Sequence, residues 1–226
     1  MYIMGVVRCF TLNYFVACLL IIASYLLGSI PFGLIVGKLK GIDIRNSGSG
    51  NIGSTNAIRV LGKKWGFLAS TFDVLKGAII IVIIYILEGC NIWYNPFIIN
   101  GESLYIIYGI AAVIGHSFSI FLKFKGGKAV ATSLGVITAV FPWCSLIILV
   151  VFSLTVALTK YVSLGSTFST IATVLGAYLI YGLCYAKWIS ATFTLIMALI
   201  ILIKHIPNYK RLIKHNENKI GQKKAS

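Results

Sequence analysis

The stretch LNYFVACLLIIASYLLGSIPFGLIV, from Leu12 to Val36, decides the fold class because it contains no charged residue. It exceeds the roughly 20 apolar residues that a helix needs to cross a bilayer. It is also too long for the apolar core of a signal peptide, so we expect a retained helix although Arg8 precedes it. The chain as a whole is 58% hydrophobic and 11% charged, with a mean hydropathy of +0.93. The sequence therefore predicts an all-α membrane protein that crosses the bilayer several times.

Seven apolar segments follow one another along the chain, and we predict that each spans the membrane. They are Leu12–Val36, Phe67–Leu87, Leu104–Leu122, Ala129–Phe141, Cys144–Leu158, Val162–Leu183 and Trp188–Ile203. The fourth and fifth segments are short, and an alternative joins 129–159 into one helix kinked at Pro142. We expect Pro31 to kink the first segment near its inner end.

The distribution of positive charge orients these segments. With seven spans, one side of the membrane carries every lysine and arginine except Arg8, Lys76 and Lys187. With six spans the basic tail would move to the opposite side and the bias would weaken. The positive-inside rule therefore favours seven spans, with the N-terminus outside and the C-terminus in the cytoplasm. We expect a single domain over residues 1–226, with flexible ends at residues 1–11 and 218–226.

Charge and cysteine content exclude several classes of function. The net charge is +15, but the cations cluster at the ends of apolar segments instead of forming one face, which disfavours a nucleic-acid partner. The five cysteines form no C-x-x-C pair and have no metal-ligand spacing. We therefore expect no disulfide, no metal site and no cofactor.

A polar, glycine-rich segment, GSGNIGSTNAIR at Gly48–Arg59, separates the first two apolar segments. Glycines let the backbone approach a ligand closely, and an arginine can bind a phosphate through two hydrogen bonds. A flexible linker is the alternative, but a linker rarely needs two asparagines, a threonine and an arginine. We interpret the segment as an anion-binding loop in which Arg59 binds phosphate and Ser49 offers a hydroxyl.

A second polar motif extends from Gly115 to Thr132 and contains a Lys-Gly-Gly-Lys run. The amides of its glycines and the charge of Lys128 are expected to meet an anion at a helix N-terminus. The motif is not a Walker A loop, and the alternative is a basic loop that touches lipid headgroups.

Two further features carry charge. A third motif extends from His205 to Glu217, for which a basic anchoring tail is the alternative. Asp73 and Lys76 are spaced i, i+3 within an apolar segment, which predicts a buried pair on one helix face with a structural role.

Taken together, the motifs resemble the bacterial acyl-phosphate:glycerol-3-phosphate acyltransferases of the PlsY type, from about Leu27 to Glu217. The resemblance is carried by SGNIGSTN with Arg59, by the segment 116–132, by Asp73-x-x-Lys76-Gly77, and by His205, Asn208, Arg211, Leu212 and Glu217. Four residues depart from the family pattern. Ser119 stands where proline is usual, and glycine is usual at Lys123, Ala129 and His215. None of the four removes a group that would perform chemistry, so we expect an active enzyme.

The resemblance implies transfer of a fatty acyl group from acyl phosphate to the sn-1 hydroxyl of glycerol 3-phosphate. The products would be lysophosphatidic acid and inorganic phosphate, in the first acylation step of phospholipid biosynthesis. The implied place is the bacterial cytoplasmic membrane, with the active site on the cytoplasmic side. Besides the two substrates and the lipid bilayer, the implied partner is the enzyme that makes acyl phosphate from acyl carrier protein.

Acyl phosphate is already activated, so the reaction requires no covalent enzyme intermediate. We expect catalysis by positioning and charge stabilisation, with a substrate phosphate oxygen as proton acceptor. The residues assigned to catalysis are Ser49, Arg59, Lys128, His205 and Asn208. Those assigned to substrate or phosphate binding are Asn51, Thr55, Asn56, Gly126, Gly127, Thr132 and Ser163. Those assigned to structural support are Asp73, Lys76, His116, Arg211 and Glu217.

A membrane transporter or channel for a phosphorylated solute is the competing interpretation. Such a protein is expected to contain paired repeats or helices broken near the midplane. The sequence contains no internal repeat, and its glycine-rich motifs lie at the ends of apolar segments. A lipid-binding membrane scaffold is a third interpretation.

Overall fold

The computed structural model describes the backbone of residues 2–220 and the side chains from Thr11 onward. The chain divides into two compact units, Met1–Val140 and Phe141–Ser226. The expectations of a single domain and of flexible ends at residues 1–11 and 218–226 stay predictions, and Met1 and residues 221–226 lie outside the described residues.

In its described part, the first unit consists of helices and one short hairpin. The helices are α1 (Tyr2–Ser29), α2 (Phe32–Leu39), α3 (Ser54–Gly89), α4 (Ile106–Ser117) and α5 (Val130–Val140), the 3-10 turns are Ile44–Asn46 and Ile120–Leu122, and the hairpin pairs β1 (Ile98–Ile99) with β2 (Glu102–Ser103).

Two predicted helix boundaries differ in the structure. The expected kink at Pro31 is a full break, because α1 ends at Ser29 and α2 begins at Phe32. The second apolar segment was expected to start at Phe67, but α3 starts at Ser54 and has a non-helical residue at Gly62, with φ 81° and ψ 171°. The second half of the polar motif, residues 54–59, therefore forms the first turns of a long helix.

Helices α3 and α5 approach each other closely because glycines face the partner backbone. A Cβ atom on Gly77 would overlap the carbonyl of Thr132, and one on Gly135 would overlap the carbonyl of Val74. Small residues at helix contacts are typical of membrane proteins, where close packing replaces the hydrophobic effect. This contact fixes the start of α5 against the middle of α3.

The loop between α3 and α4 has a structural role. Glu88 accepts the backbone N–H of Asn95 at 2.7 Å and the hydroxyl of Tyr105 at 2.5 Å. The hydroxyl of Tyr108 donates to Asn95 Oδ1 at 3.0 Å. One carboxylate thus ties the hairpin loop to the ends of both helices.

The second unit, in its described part, is a helical bundle. Its elements are α6 (Pro142–Thr159), α7 (Val162–Gly176), a π-helical turn (Ala177–Gly182), α8 (Leu183–Tyr185) and α9 (Trp188–Ile213). Helix α7 packs against both α6 and α9. Phe141, with φ −132° and ψ 67°, separates α5 from α6, so residues 129–159 form two helices and the alternative of one kinked helix is wrong.

Five helical segments are long and apolar enough to cross a membrane. They are Thr11–Ser29, Ser54–Gly89, Pro142–Thr159, Val162–Tyr185 and Trp188–Ile213, and the apolar segments Ile106–Leu122 and Val130–Val140 are shorter. The predicted all-α class is confirmed. The count of seven spans and the orientation of the termini stay predictions.

Candidate active site

The first loop, residues 44–53, is tied to helix α3 by one buried side chain. Asn56 is 1% exposed. Its Oδ1 accepts the backbone N–H of Ser49 at 2.8 Å, and its amide group donates to the carbonyls of Ile44 at 2.8 Å and Ser47 at 3.2 Å. Both polar atoms of the Asn56 side chain thus bind the loop backbone, and its predicted contact with substrate stays a prediction.

The rest of the first loop is equally ordered. Asn51 Oδ1 accepts the N–H of Gly53 at 2.8 Å, and the carbonyl of Gly53 accepts the N–H of Ala57 at 3.1 Å, which starts α3. Ser49 and Arg59 are exposed, and Thr55 is half-buried in the first turn of the helix. The interpretation as a flexible linker is wrong. Ser49 lies at the surface of the first loop, and Arg59 lies at the surface of α3.

Arg45, at the start of this loop, is paired with Asp43. Asp43 accepts the backbone N–H of Arg45 at 3.0 Å and its Nε–H at 2.9 Å. The guanidinium and this backbone hydrogen bond lower the pKa of Asp43 to about 2. Hydrogen bonding to the carboxylate likewise raises the pKa of Arg45. Because Asp43 compensates its charge, Arg45 contributes little net positive potential at the loop.

An apolar cluster brings the first two motifs together. Ile44 and Ile52 of the first loop pack with buried residues of α2 and α3, and Leu122 packs against the same cluster. Leu122 lies immediately before residues 123–129, which we call the glycine loop. The first loop and the glycine loop therefore share one core.

The glycine loop packs against the end of α4 at His116. The N–H of Gly127 donates to the carbonyl of His116 at 3.0 Å. A Cβ on Gly126 would overlap that carbonyl, and one on Gly127 would overlap the imidazole ring. This geometry changes one prediction, because the Gly127 amide, expected to bind phosphate, is used within the protein.

Three residues that replace glycines of the family pattern lie in the left-handed region. The φ angles are 51° for Lys123, 58° for Ala129 and 56° for His215. Residues with a side chain adopt this region at a cost of roughly 1 to 2 kcal/mol, which glycine avoids. These left-handed angles explain why glycine would suit the three positions.

Helix α5 begins directly after the glycine loop. The carbonyl of Ala129 accepts the N–H of Ser133 at 2.8 Å, which begins the helix, and alanine has no side-chain oxygen to cap the first amides. Lys128 is half-buried beside this terminus. Free amides, the helix dipole and a lysine together favour a bound anion.

Buried charges lie beneath the glycine loop. Lys76 Nζ lies 2.7 Å from Asp73 Oδ1, and His116 Nδ1 lies 3.7 Å from the same oxygen. Lys76 also donates to the carbonyl of Ile30 at 2.7 Å. All three side chains are at most 4% exposed. The predicted pairing of Asp73 with Lys76 is confirmed, and removal of one partner is expected to be costly because it leaves a buried charge uncompensated.

Four hydroxyls in the first turns of helices have no hydrogen-bond partner among the described residues. They are the buried Oγ of Ser54 in α3, Oγ1 of Thr132 and Oγ of Ser133 in α5, and Oγ of Ser163 in α7. Thr132 and Ser163 were predicted to contact substrate, and an unpaired buried hydroxyl agrees with that prediction. Ser54 was missed, although its place after the cap residue Gly53 is a usable signal.

Within the second unit, Glu217 joins two residues of the third motif. It accepts Asn208 Nδ2–H at 2.6 Å and Arg211 Nε–H at 2.7 Å. The left-handed His215 reverses the chain after α9, so that the N–H of Asn216 bonds the carbonyl of Arg211 at 2.8 Å. The predicted bracing role of Glu217 and Arg211 agrees with this geometry.

The histidine of the third motif has a defined tautomer. His205 is 2% exposed, and its Nδ1 lies 2.8 Å from the carbonyl of Ile201. A carbonyl accepts only, so Nδ1 carries the proton of the neutral ring and Nε2 becomes the acceptor atom. The motif thus offers a fixed imidazole Nε2 and an amide held by a carboxylate.

The fold and these loops define an integral membrane protein that carries polar, glycine-rich loops at the ends of its helices. A family model described as glycerol-3-phosphate acyltransferase matches residues 18–215. The glycerol-3-phosphate acyltransferase of Macrococcus caseolyticus is 46% identical over 209 residues, which cover 91% of this chain and 98% of that protein. That of Bacillus subtilis is 42% identical over 207 residues, which cover 89% and 96%.

A solved structure of PlsY, an integral membrane glycerol 3-phosphate acyltransferase in its glycerol 3-phosphate form, is also similar. Its TM-score is 0.77 at 37% identity, and the match covers 91% of this chain and 96% of that one. A lysophosphatidic acid form gives the same TM-score at 36% identity. The chain belongs to the glycerol-3-phosphate acyltransferase family.

Proposed function

We propose that this enzyme transfers a fatty acyl group from acyl phosphate to the sn-1 hydroxyl of glycerol 3-phosphate, releasing lysophosphatidic acid and inorganic phosphate. The observation that carries the proposal is the N-terminus of α5 beside Lys128, which follows a glycine loop that His116 holds in place. Such a terminus suits the phosphate of an acyl phosphate, whose departure as an anion it would stabilise.

The residues divide between binding and positioning. Arg59 and Lys128 bind substrate phosphates, and Ser49 binds a phosphate or orients the attacking hydroxyl. Thr132 and Ser163 offer unpaired hydroxyls to substrate, as does the missed Ser54. Asn51 and Thr55 keep their predicted place near substrate, and the first-turn amides of α5 take the role expected of Gly127.

The third motif contributes His205 and Asn208 to the reaction. Its geometry supports an imidazole that accepts a hydrogen bond through Nε2 and an amide whose orientation Glu217 fixes. We assign proton acceptance to a substrate phosphate oxygen. No covalent acyl-enzyme is needed because the mixed anhydride is already activated.

The enzyme is placed in the bacterial cytoplasmic membrane with seven spans, N-terminus outside and C-terminus in the cytoplasm. The short apolar helices α4 and α5 serve as the third and fourth spans in a locally thin or untilted arrangement. Glycerol 3-phosphate then arrives from the cytoplasm, acyl phosphate arrives through the bilayer, and the enzyme that makes acyl phosphate from acyl carrier protein is the expected partner.

The test uses purified protein with glycerol 3-phosphate and either acyl phosphate or acyl-CoA. Lysophosphatidic acid is expected to form only with acyl phosphate, with release of inorganic phosphate, and Arg59→Ala or Lys128→Ala should lower this rate at least about tenfold, as loss of a charged hydrogen bond predicts. Lys125→Ala, an exposed lysine in the same loop, is the control and should retain the rate. Near-normal rates in both variants would overturn the assignment, and acyl-CoA as the preferred donor would overturn the proposed reaction.

A further inference from the structure

Two backbone carbonyls at the Pro31 break accept hydrogen bonds from side chains of other elements. The carbonyl of Ser29 has no helical donor because α1 ends there, and it accepts Ser119 Oγ–H at 2.6 Å. The carbonyl of Ile30 accepts Lys76 at 2.7 Å. Ser119 is 1% exposed and Lys76 is 2% exposed, so water does not compete for either bond.

Ser119 is hydrogen-bonded to the start of the glycine loop. Its own carbonyl accepts the N–H of Leu122 at 3.1 Å and the N–H of Phe124 at 2.8 Å. The side chain of Ser119 therefore fixes the break in α1–α2, while its backbone fixes the turn that opens the glycine loop. The hydroxyl of Tyr25 adds a neighbouring bond to the carbonyl of Phe118 at 2.9 Å.

Lys76 is connected to the other end of the same loop through Asp73 and His116. It holds Asp73, which lies 3.7 Å from His116 Nδ1. The carbonyl of His116 binds the N–H of Gly127, and its ring occupies the space beside Gly127 that a Cβ would need. Ser119 and Lys76, the two donors at the Pro31 break, are thus connected to opposite ends of the glycine loop.

The loop needs external support because its backbone is unfavourable. Lys123, Phe124 and Ala129 all have φ between 51° and 63°. Such residues persist only where surrounding structure determines them. Proline, which is usual in the family at position 119, could not make the bond from Ser119 to Ser29.

We propose that Ser119 and Lys76 are positioning residues that set the shape of the glycine loop from the Pro31 break, and thereby its affinity for a substrate phosphate group. The identity of that substrate rests on the proposed function. The support of the loop does not, because it follows from hydrogen bonds within the protein.

The first experiment compares Ser119→Ala with Ser145→Ala. Ser145 is a matched control, since it is 9% exposed and its Oγ donates to the carbonyl of Pro142 at 2.6 Å in the second unit. For Ser119→Ala we expect the KM of at least one phosphate-bearing substrate to rise about fivefold with kcat within about twofold, as loss of one buried hydrogen bond predicts. Amide hydrogen exchange over residues 120–129 should accelerate about tenfold. Ser145→Ala should change neither quantity beyond about twofold.

The second experiment tests Lys76. Lys76→Met alone leaves Asp73 charged and unpaired, so reduced yield of folded protein is expected. The double variant Asp73→Asn/Lys76→Met removes both charges, should fold, and should raise KM and loop exchange as Ser119→Ala does. If Ser119→Ala and the double variant both match the Ser145→Ala control, the proposal is wrong.

The two proposals fail in different ways. If the wild-type protein releases no phosphate from acyl phosphate, the proposed function fails. Amide exchange over residues 120–129 and the Kd for inorganic phosphate then still test the support of the loop, with faster exchange and weaker binding expected in Ser119→Ala. Unchanged exchange and unchanged phosphate binding would overturn it independently of any activity.

Discussion

The first loop and the glycine loop serve the same expected task, but the protein holds them in opposite ways. The first loop takes its shape from one side chain, because Asn56 binds three backbone groups of residues 44–49. The glycine loop takes its shape from missing side chains, because its glycines let the backbone rest on His116. A loop of the first kind weakens when a side chain is removed, whereas a loop of the second kind fails when one is added.

The largest effect is expected for Gly126→Ala, which adds a methyl group to the glycine loop. Its Cβ would overlap the carbonyl of His116, and backbone atoms cannot move aside as side chains can. The loop must shift, and a shift of about 1 Å at a reacting group costs on the order of a hundredfold in kcat/KM. The control is Gly89→Ala, where a Cβ meets nothing within 4 Å. Steady-state phosphate release checks both variants, and an unaffected Gly126→Ala would break the contrast between the loops.

A graded effect is expected for Asn56→Ala, which removes the side chain that holds the first loop. Loss of its bonds to Ser49, Ile44 and Ser47 should lower the free energy of unfolding by about 2 to 3 kcal/mol and kcat/KM about tenfold. Thermal unfolding and exchange of the Ser49 amide measure the structural loss. The exposed Asn46 supplies the control Asn46→Ala. A raised KM with unchanged stability and unchanged Ser49 exchange would show that Asn56 touches substrate after all.

A small effect of opposite sign is expected for Ala129→Gly. The substitution relieves a residue at φ 58°, so the free energy of unfolding should rise by about 0.5 to 1 kcal/mol. Ala131→Gly, two residues later inside α5, should lower it by about the same amount because helical glycine is unfavourable. Thermal unfolding of the two variants checks the signs. A lower Tm for Ala129→Gly would contradict the strain assigned to the loop.

The smallest effect concerns the Asp43–Arg45 ion pair at the start of the first loop. Arg45 lowers the pKa of Asp43 to about 2 from its ordinary value of 3.8. A lowered pKa in the folded protein stabilises it above the ordinary pKa, and this contribution disappears as the pH falls through about 2. Asp43→Asn can still cap the 3-10 turn but carries no charge. The Tm difference between Asp43→Asn and wild type should therefore be present near pH 6 and shrink towards pH 2, and high salt should reduce it. A Tm difference that does not vary with pH would show that the ion pair does not contribute to stability.

The sequence predicted the helical segments better than their ends. Apolar runs locate membrane helices because the bilayer requires them, so the core of α3 was found. The start of α3 at Ser54 was missed, since its first turns consist of polar motif residues that resemble a loop in composition. A kink at Pro31 was expected from the chemistry of proline, but the full break between α1 and α2 was not.

The site shows a sharper limit. Composition identifies groups that can bind a phosphate, but it does not reveal which of them the chain uses for its own backbone, as Asn56 and the Gly127 amide do. The Asp73–Lys76 pair was predictable from local spacing on one helix. The proximity of His116 to that pair depends on tertiary packing and had no local signal.

The non-helical Gly62 bears on how helix α3 fits the thickness of a lipid bilayer. Helix α3 has 36 residues, about 54 Å if straight, against a hydrocarbon core of about 30 Å. Trp65 lies just past Gly62, and Lys40 Nζ lies 3.8 Å from the centre of its ring. Tryptophan is enriched where a membrane protein meets the lipid headgroups. The break divides α3 into a long rod and a short arm that carries Arg59. In the proposed seven-span arrangement the rod crosses the bilayer and the arm follows its surface, so we expect turnover to vary with the acyl-chain length of the host bilayer.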